Sequence, residues 1–394
     1  MNNNFNYYLP TKIIAGSGQI NVLGEQARIF GEKLLLITPK SLSHINSSVI
    51  QQLKDDKFNL TIEEVYDKEP TITYINEIAN RLRGNEYDVI IGFGGGSAMD
   101  VAKALSIALT HTEDIWLYAN LSNRPPLPLK QPVIPVIAIP TTSGTGAEVT
   151  PYAVLTKEDT FQKGTIQEVE IFPKVAIIDP ELIISLPPSL TASTGLDAFA
   201  HALEASINIS KYSPVAETFG KSAMRIILKW LPIAVEEPEN INARMKVAWA
   251  SCLAGISIAH RGTTTAHSIA EPLGGLTNIQ HGLAVSMSTL PVMRYTIHKD
   301  PKCLAKLNNT VLGLSTKNDK AAAENFFNVM EDMFVHLNLN KCVNDVLPKE
   351  KFKDLDKLLI ENVLKFKFRP LLQHPVVFDD KSLKPIIHEL INGK

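Results

Sequence analysis

Short apolar runs alternate with helical stretches through the first half of the chain. The runs at residues 33–38, 87–92, 133–139 and 174–178 are continuously apolar rather than alternating. Strands of a parallel sheet have this pattern because helices cover both of their faces. The pattern predicts an α/β region whose sheet is mostly parallel.

The second half has a different pattern. Strand-like runs largely disappear after Pro187 and Pro188, and residues 243–270 carry apolar residues at helical spacing. A chain of 394 residues also exceeds what one hydrophobic core usually organises. We therefore predict an α/β domain over residues 1–185 and an all-α domain over residues 186–394.

The charge, cysteine content and hydropathy of the chain limit the binding partners and the cellular location that we expect for the protein. A net charge of -2 gives no reason to expect nucleic acid or an anionic membrane. Cys252, Cys303 and Cys342 lack metal-like spacing and cannot all pair, which favours a reducing cytoplasm. The N-terminus lacks the pattern of a signal peptide, and no apolar run approaches the ~20 residues that span a bilayer. We predict a cytoplasmic protein.

A glycine-rich loop follows the second apolar run. Gly94, Gly95, Gly96 and Ser97 lie where a strand gives way to a helix. Glycines allow close backbone approach, and a helix N-terminus attracts anions, so the loop suits a pyrophosphate. It matches neither the common dinucleotide fingerprint nor a Walker loop, and a tight turn without a ligand is the alternative.

A second polar loop follows the next strand, with hydroxyls at Thr141, Thr142, Ser143 and Thr145. Open α/β sheets bind ligands at the carboxyl ends of their strands. Composition alone does not separate a binding loop from a surface loop.

The helical half carries a candidate metal site. Asp197 and His201 are four residues apart and share one helix face. His267 and His281 come later in the chain, and a helix break is predicted between them at residues 272–275. One carboxylate and three imidazoles suit a divalent iron or zinc ion. Spacing leaves alternatives open: a salt-bridged Asp–His pair, a core histidine at 267 and a helix-start residue at 281.

Together these stretches resemble the iron-containing (group III) metal-dependent alcohol dehydrogenase family. The matching segments occur in family order and span nearly the whole chain: Gly94–Ser97 with Asp100 and Lys103, residues 140–146 with Glu148, residues 194–198 with His201 and Glu204, and residues 267–282.

The resemblance implies an alcohol dehydrogenase or aldehyde reductase that uses NAD(P) and a small alcohol or aldehyde. It implies a nicotinamide dinucleotide-binding domain, a helical catalytic domain and a site in the cleft between them, as in dehydroquinate synthase-like architectures. It also implies a homo-oligomer, which we expect to be a dimer. The implied metal ligands, for Fe²⁺ first and Zn²⁺ second, are Asp197, His201, His267 and His281. The implied cofactor residues are Gly94, Gly95, Gly96, Ser97, Asp100, Lys103, Thr141, Thr142, Ser143 and Thr145.

Two departures from the family pattern bear on specificity. Many members carry an Asp where this chain has Pro39, followed here by Lys40. The missing carboxylate favours NADPH, although Lys40 could merely point into solvent. Many members also have a second histidine where this chain has Glu271, which could serve in its place or pair with a cation.

The segment before His267 predicts the character of the substrate. If one helix runs through it, His260 lies seven residues before His267, close to the same stripe. We predict that His260, Thr263 and Thr264 border the substrate cavity and favour a small polar substrate. Helix packing or an interface salt bridge is the alternative role for this segment.

Two other functions compete with the dehydrogenase. A dehydroquinate synthase-like cyclase would regenerate its nicotinamide cofactor within each cycle, so net turnover of NAD(P)H separates the two. A non-catalytic nucleotide-binding protein would lack the metal, which metal analysis would detect.

Overall fold

The computed structural model describes residues 4–66, 69–121, 124–348 and 354–393. The chain divides into two compact units. An α/β unit spans Tyr8–Leu186, and a helical unit begins at Pro187 and also includes the residues up to Tyr7. The division after Leu186 falls at the Pro-Pro pair of the sequence.

The α/β unit contains the strands of two sheets. They are β1 (Lys12–Ala15), β2 (Lys33–Pro39), β3 (Asn59–Val65), β4 (Val89–Gly94), β5 (Ala119–Asn120), β6 (Val136–Pro140), β7 (Tyr152–Lys157), β8 (Gln162–Gln167) and β9 (Val175–Ile178). Six of them form a parallel sheet in the order β1-β9-β6-β4-β2-β3. The predicted α/β class with a mostly parallel sheet is confirmed.

Both faces of this sheet are buried, which explains its continuous apolar runs. Leu34 and Leu36 of β2 face one hydrophobic core, and Leu35 and Ile37 face the other. The helices of the unit are α1 (Leu23–Arg28), α2 (Ser43–Asp55), α3 (Ile72–Leu82) and α4 (Gly96–Ala108). Sheet register brings the carboxyl ends of β2, β4 and β6 to one edge, with Ile37 opposite Gly92 and Gly94 opposite Pro140.

A smaller antiparallel sheet, in the order β5-β8-β7, was not predicted. In β7, Ala153 and Leu155 are buried while their neighbours are partly exposed. This alternation is the pattern of a strand that is covered on one face only.

The helical unit is built from ten helices among the described residues. They are α5 (Pro188–Ile207), α6 (Pro214–Glu236), α7 (Ile241–Arg261), α8 (Thr265–Thr277), α9 (His281–Lys299), α10 (Lys302–Leu307), α11 (Asp319–His336), α12 (Leu355–Phe366), α13 (Phe368–Leu371) and α14 (Asp380–Asn392). The fully buried α5 residues Leu196, Phe199 and Leu203 belong to its hydrophobic core.

Two predicted features of the helices around His267 are wrong. His260 and His267 do not share a helix, because α7 ends at Arg261 and Gly262 has a φ of 74°. This left-handed conformation favours glycine and ends a helix. The break predicted at residues 272–275 is also absent, because α8 continues past a buried Pro272 and ends at Thr277, just before Asn278, where φ is 61°. Proline weakens a helix, but packing of the buried α8 overrides that cost.

Within the described part of the chain, no helix combines the length and apolar character needed to cross a bilayer.

Candidate metal centre

One face of α5 supplies two carboxylates and an imidazole. Asp197, His201 and Glu204 lie at positions i, i+4 and i+7, so their side chains point in the same direction. All three are buried. Buried charged groups need partners, so this face must meet polar groups from other helices.

The first turn of α9 brings His281 to this face. A Cβ at Gly282 would lie 2.5 Å from the backbone oxygen of Ser193 on α5, so only glycine permits this close approach of the two helices. His281 is the first residue of α9, and its Nε2 lies 3.7 Å from Oδ1 of Asp197.

His267 on α8 completes the group. Its Nε2 lies 3.3 Å from Asp197 Oδ1, and Nε2 of His201 lies 3.8 Å from the same oxygen. The rings of His201 and His267 are stacked with centroids 4.4 Å apart. Two ligands at about 2.1 Å from a tetrahedral ion lie ~3.4 Å apart, so these separations match ligands around one ion. The donor atoms of Asp197, His267 and His281 all lie within 4.8 Å of one another.

The electrostatics of the group favour an ionised Asp197. Burial opposes ionisation, but the imidazoles of His201, His281 and His267 hold its pKa well below the usual range. Burial lowers the pKa of His201 to about 4, with His267 and His281 acting in the same direction. Neutral imidazole is the form that binds a metal.

His267 lies between two carboxylates. Its Nδ1 contacts Glu204 Oε2 on the side away from Asp197. Burial alone would lower its pKa, but Glu204 and Asp197 together raise it to about 10. Since Nδ1–H donates to Glu204, Nε2 is the atom at which a proton and a metal ion compete.

Glu271 forms an ion pair with Lys367, the residue that follows α12. The side chains are mostly buried, with exposed fractions of 18% for Glu271 and 10% for Lys367. Glu271 lies one helical turn after His267 on α8 and therefore on the same side of that helix. The sequence analysis left two roles open for Glu271, replacing the second histidine or pairing with a cation. The structure contains the pairing with a cation.

The three predicted substrate-wall residues have different environments. His260 stacks on Tyr7, with ring centroids 4.4 Å apart and an interplanar angle of 14°, and its Nδ1 lies 2.8 Å from Ile256 O. Thr263 is partly exposed, whereas Thr264 is buried and hydrogen-bonded to Glu204. Their contact with substrate stays a prediction.

The predicted cofactor loops of the α/β unit lie against each other. The amide of Thr141 donates to Gly94 O at 2.9 Å. A Cβ at Gly96 would meet Thr145 Cγ2 at 2.7 Å, and one at Gly95 would meet Thr142 at 3.5 Å. Ser143 is buried in the second loop, and Ser97 is the second residue of α4, after Gly96. The first-turn amides of α4 are thus framed by small residues, which suits a pyrophosphate.

Asp100 and Lys103 hold the second loop in place. Lys103 Nζ donates to Ala147 O and to Tyr152 O, the latter at 2.9 Å, and Asp100 accepts from the Val154 amide at 3.2 Å. Lys103 is fully buried, so these contacts assign it a structural role. Direct contact of Asp100 or Lys103 with the cofactor remains a prediction.

Pro39 and Lys40 lie at the carboxyl end of β2. A Cβ at Gly94 would meet Pro39 Cδ at 2.9 Å, so Pro39 borders the glycine loop. Lys40 is exposed beside it.

The sequence analysis did not identify the residues that hold His267 in place. It assigned no role to Glu204, although a spacing of seven residues from Asp197 places Glu204 on the same helix face. His374, which bonds to Thr264, lies far along the chain from His267 and carries no sequence signal that links the two.

Two family models match the chain. The model described as iron-containing alcohol dehydrogenase matches residues 10–180. The model described as the C-terminal region of the Fe-containing alcohol dehydrogenase family matches residues 191–377.

Known proteins match over most of their length. The 1,3-propanediol dehydrogenase of Klebsiella pneumoniae is 32% identical over 88% of this chain and 89% of its own. An archaeal alcohol dehydrogenase from a Red Sea brine pool has a TM-score of 0.91 at 29% identity, covering 99% of this chain and 100% of that one. The sulfoacetaldehyde reductase of Bifidobacterium kashiwanohense in complex with NAD⁺ has a TM-score of 0.84 at 28% identity, with coverage of 99% and 100%.

Proposed function

This chain belongs to the iron-containing alcohol dehydrogenase family and is a metal-dependent, NAD(P)-linked alcohol dehydrogenase, and we propose that it acts on a small polar alcohol or aldehyde. We propose further that Asp197, His201, His267 and His281 hold the divalent ion, Fe²⁺ in the first instance. The observation that carries the ligand assignment is the convergence of three imidazole nitrogens on Asp197 Oδ1 at 3.3 to 3.8 Å.

When bound, such an ion supplies Lewis-acid polarisation of the substrate oxygen. The residues of the chain supply the charge, the dry environment and the histidine tautomer that such an ion requires. Asp197 contributes the negative charge, and the buried imidazoles of His201 and His267 exclude bulk water from the donor set. Glu204 keeps the proton of His267 on Nδ1, away from the ligating nitrogen.

The proposal of a polar substrate rests on Glu271 and Lys367. Their ion pair lies one turn beyond His267 and stays mostly buried. An alkyl chain packed against it would further desolvate two charges without offering them a hydrogen bond, whereas a second hydroxyl or an anionic group would offer one. The names of two relatives, a propanediol dehydrogenase and a sulfoacetaldehyde reductase, are consistent with such substrates.

The proposal for the dinucleotide rests on the paired loops of the α/β unit. The α4 N-terminus beside Gly95 and Gly96 would receive the pyrophosphate. Pro39 and Lys40 offer no carboxylate to repel a 2′-phosphate, so we propose that NADPH is used at least as well as NADH.

The test uses the full-length protein, stripped of metal and reloaded with Fe²⁺ or Zn²⁺. We expect net oxidation of NAD(P)H with hydroxyaldehydes, and higher kcat/KM for these than for butanal. His267→Ala should lose bound metal and activity together while its circular dichroism spectrum is unchanged. Full activity in metal-free His267→Ala protein would remove the ligand assignment, and equal kcat/KM for butanal would remove the polar-substrate proposal.

A dimeric state and a cytoplasmic location rest on the sequence-level expectation alone. Sedimentation equilibrium of the full-length protein measures the first, and fractionation of the source cells measures the second.

A further inference from the structure

Glu204 is the centre of a buried hydrogen-bond chain that reaches the candidate ion site through His267. Its Oε1 accepts from Thr264 Oγ1 at 2.8 Å and from the amide of Ala266 at 2.7 Å, and its Oε2 contacts Nδ1 of His267. The carboxylate is fully buried. The Ala266 amide can only donate, so Oε1 of Glu204 is an acceptor.

The position of each proton along the chain follows from this acceptor. The single hydroxyl proton of Thr264 goes to Glu204, so Thr264 Oγ1 must accept from Nδ1 of His374, which lies 3.0 Å away. Burial lowers the pKa of His374 to about 4, so its ring is neutral and its Nε2 is an acceptor. Thr296 Oγ1 lies 2.9 Å from that Nε2 and 2.8 Å from Val292 O, so two acceptors compete for its one hydroxyl proton.

The protons of His374 Nδ1 and of the Thr264 hydroxyl therefore point towards Glu204. The carboxylate in turn can only accept from Nδ1 of His267, which leaves Nε2 of His267, 3.3 Å from Asp197 Oδ1, as the nitrogen available to an ion once its proton has been displaced. A metal-ligating histidine needs this tautomer and ring orientation, and a carboxylate on its other nitrogen commonly supplies both.

We propose that Thr264 and His374 are positioning residues for His267, acting through Glu204, in a chain of contacts that extends to Thr296. The proposal rests on the assignment of His267 as a metal ligand. It gives Thr264 a different role from the substrate wall expected from sequence, because its hydroxyl oxygen already has Glu204 and His374 as partners.

The chain also connects three separate parts of the helical unit. Thr264 immediately precedes α8, Thr296 lies on α9, and His374 lies in the segment after α13. Thr264 and Thr296 are fully buried, and His374 is 2% exposed. A partly satisfied buried polar network is costly, so removing one hydroxyl should affect the remaining partners.

Thr264→Val tests the proposal, because it removes the hydroxyl at nearly constant volume. Its matched control is Thr265→Val: Thr265 is the next residue and fully buried, and its Oγ1 has no hydrogen-bond partner among the described residues. Thr264→Ser restores the hydroxyl. The Zn²⁺ dissociation constant of each full-length metal-free protein is measured by competition with a chelator, and the visible spectrum of the Co²⁺ form reports the coordination geometry.

We expect Thr264→Val to weaken Zn²⁺ binding about tenfold and to change the Co²⁺ spectrum. Thr264→Ser and Thr265→Val should bind within about twofold of the parent protein, since neither loses a chain hydrogen bond. Unchanged Zn²⁺ affinity in Thr264→Val, or equal weakening in Thr265→Val, would overturn the proposal. Should Thr264→Val fail to fold, His374→Phe asks the same question, with weakened Zn²⁺ binding in support and unchanged binding against.

Activity separates positioning from substrate contact. Under the proposal, Thr264→Val lowers kcat/KM for a hydroxyaldehyde and for butanal by the same factor at limiting Zn²⁺, and excess Zn²⁺ restores most of both. Divergent effects on the two substrates at unchanged Zn²⁺ affinity would make Thr264 a substrate-wall residue and overturn it. His267→Ala in the same series tests the underlying ligand assignment separately: if it binds Zn²⁺ like the parent protein, that assignment fails whatever Thr264 does.

Discussion

The two units each bury a cluster of charged residues, and the clusters differ in where their polar atoms point. In the α/β unit, the ammonium of Lys103 donates to Ala147 O and Tyr152 O. In the helical unit, His201 Nε2 and His281 Nε2 lie 3.8 and 3.7 Å from Asp197 Oδ1, beyond hydrogen-bonding distance. The hydrogen bonds of Lys103 are thus made within the protein, whereas the imidazole nitrogens lie around Asp197 Oδ1 at the spacing of metal ligands.

This difference indicates function more directly than burial or charge does. Burial moves pKa values in both clusters: it lowers that of Lys103 to about 8 and that of His201 to about 4. A perturbed pKa alone would therefore mark both as functional. Only the geometry of the partners distinguishes a charge that fastens a loop from a set of ligands.

The largest expected effect is a loss of free energy of unfolding when Lys103 is replaced. Lys103→Met leaves the buried carbonyls of Ala147 and Tyr152 without their donor, and each unsatisfied buried acceptor costs about 1–3 kcal/mol. Urea unfolding should show this loss, while the metal content stays at the parent level.

The matched control is Lys33→Met, which removes an exposed ion pair with Glu86 in the same unit. It should leave the free energy of unfolding close to that of the parent protein, because solvent screens exposed pairs. If Lys103→Met is as mild as this control, Lys103 does not fasten the loop and the contrast between the clusters fails.

The next effect is on metal affinity. Glu204→Gln removes the negative charge that orients His267 and should weaken Zn²⁺ binding about 10- to 100-fold, as for other partners of metal-bound histidines. Chelator competition measures the dissociation constant. Glu217→Gln is the control, because Glu217 is a largely buried carboxylate of the same unit that pairs with Lys221 and Lys306 rather than with a histidine. Equal losses in both variants would mean that the effect is general destabilisation.

The four central strands of the parallel sheet could be predicted from the sequence because each forms a locally apolar run, whereas the partly exposed edge strands β1 and β3 have no such run and were not predicted. Residues 33–38 are apolar on both faces, and this pattern needs no knowledge of the rest of the chain. The β7–β8 hairpin was missed because Lys163 and Gly164 are buried in β8 although their types are typical of exposed turns. Their burial depends on partners, such as Glu69 for Lys163, that are distant in sequence.

In the candidate site, too, local features could be predicted from the sequence and contacts between distant residues could not. Asp197 and His201 could be paired from sequence since they share one helix turn. The segment from His260 to His267 could not be read as one helix, because the conformation of Gly262 decides the break. His374 could not be found at all, since only the packing of the segment after α13 brings it within 3.0 Å of Thr264.

Glu271 and Lys367 form a mostly buried ion pair, a third arrangement of buried charges beside the two clusters compared above. If it borders the substrate, Lys367→Met should lower kcat/KM for a hydroxyaldehyde about tenfold more than for butanal, because the polar partner of the substrate is lost. Lys384→Met removes an exposed pair with Asp380 and should leave that ratio unchanged. An equal fall for both aldehydes in Lys367→Met would assign the pair to the protein interior, like Lys103.

The smallest effect concerns an exposed charge, Lys40, at the carboxyl end of β2. Unlike the buried clusters, it is screened by solvent, so its attraction for a 2′-phosphate is worth about 1 kcal/mol or less. Lys40→Glu replaces that attraction with repulsion and should shift the ratio of kcat/KM for NADPH over NADH towards NADH by about tenfold, or roughly 1.4 kcal/mol. Lys40→Gln should shift it by about threefold, since it removes the charge without adding repulsion. Steady-state kinetics with both cofactors at two salt concentrations measure the ratio, and higher salt should reduce the shift. A ratio that is the same in all three proteins would show that Lys40 points into solvent away from the ribose, and a parent protein that prefers NADH tenfold would contradict the NADPH proposal itself.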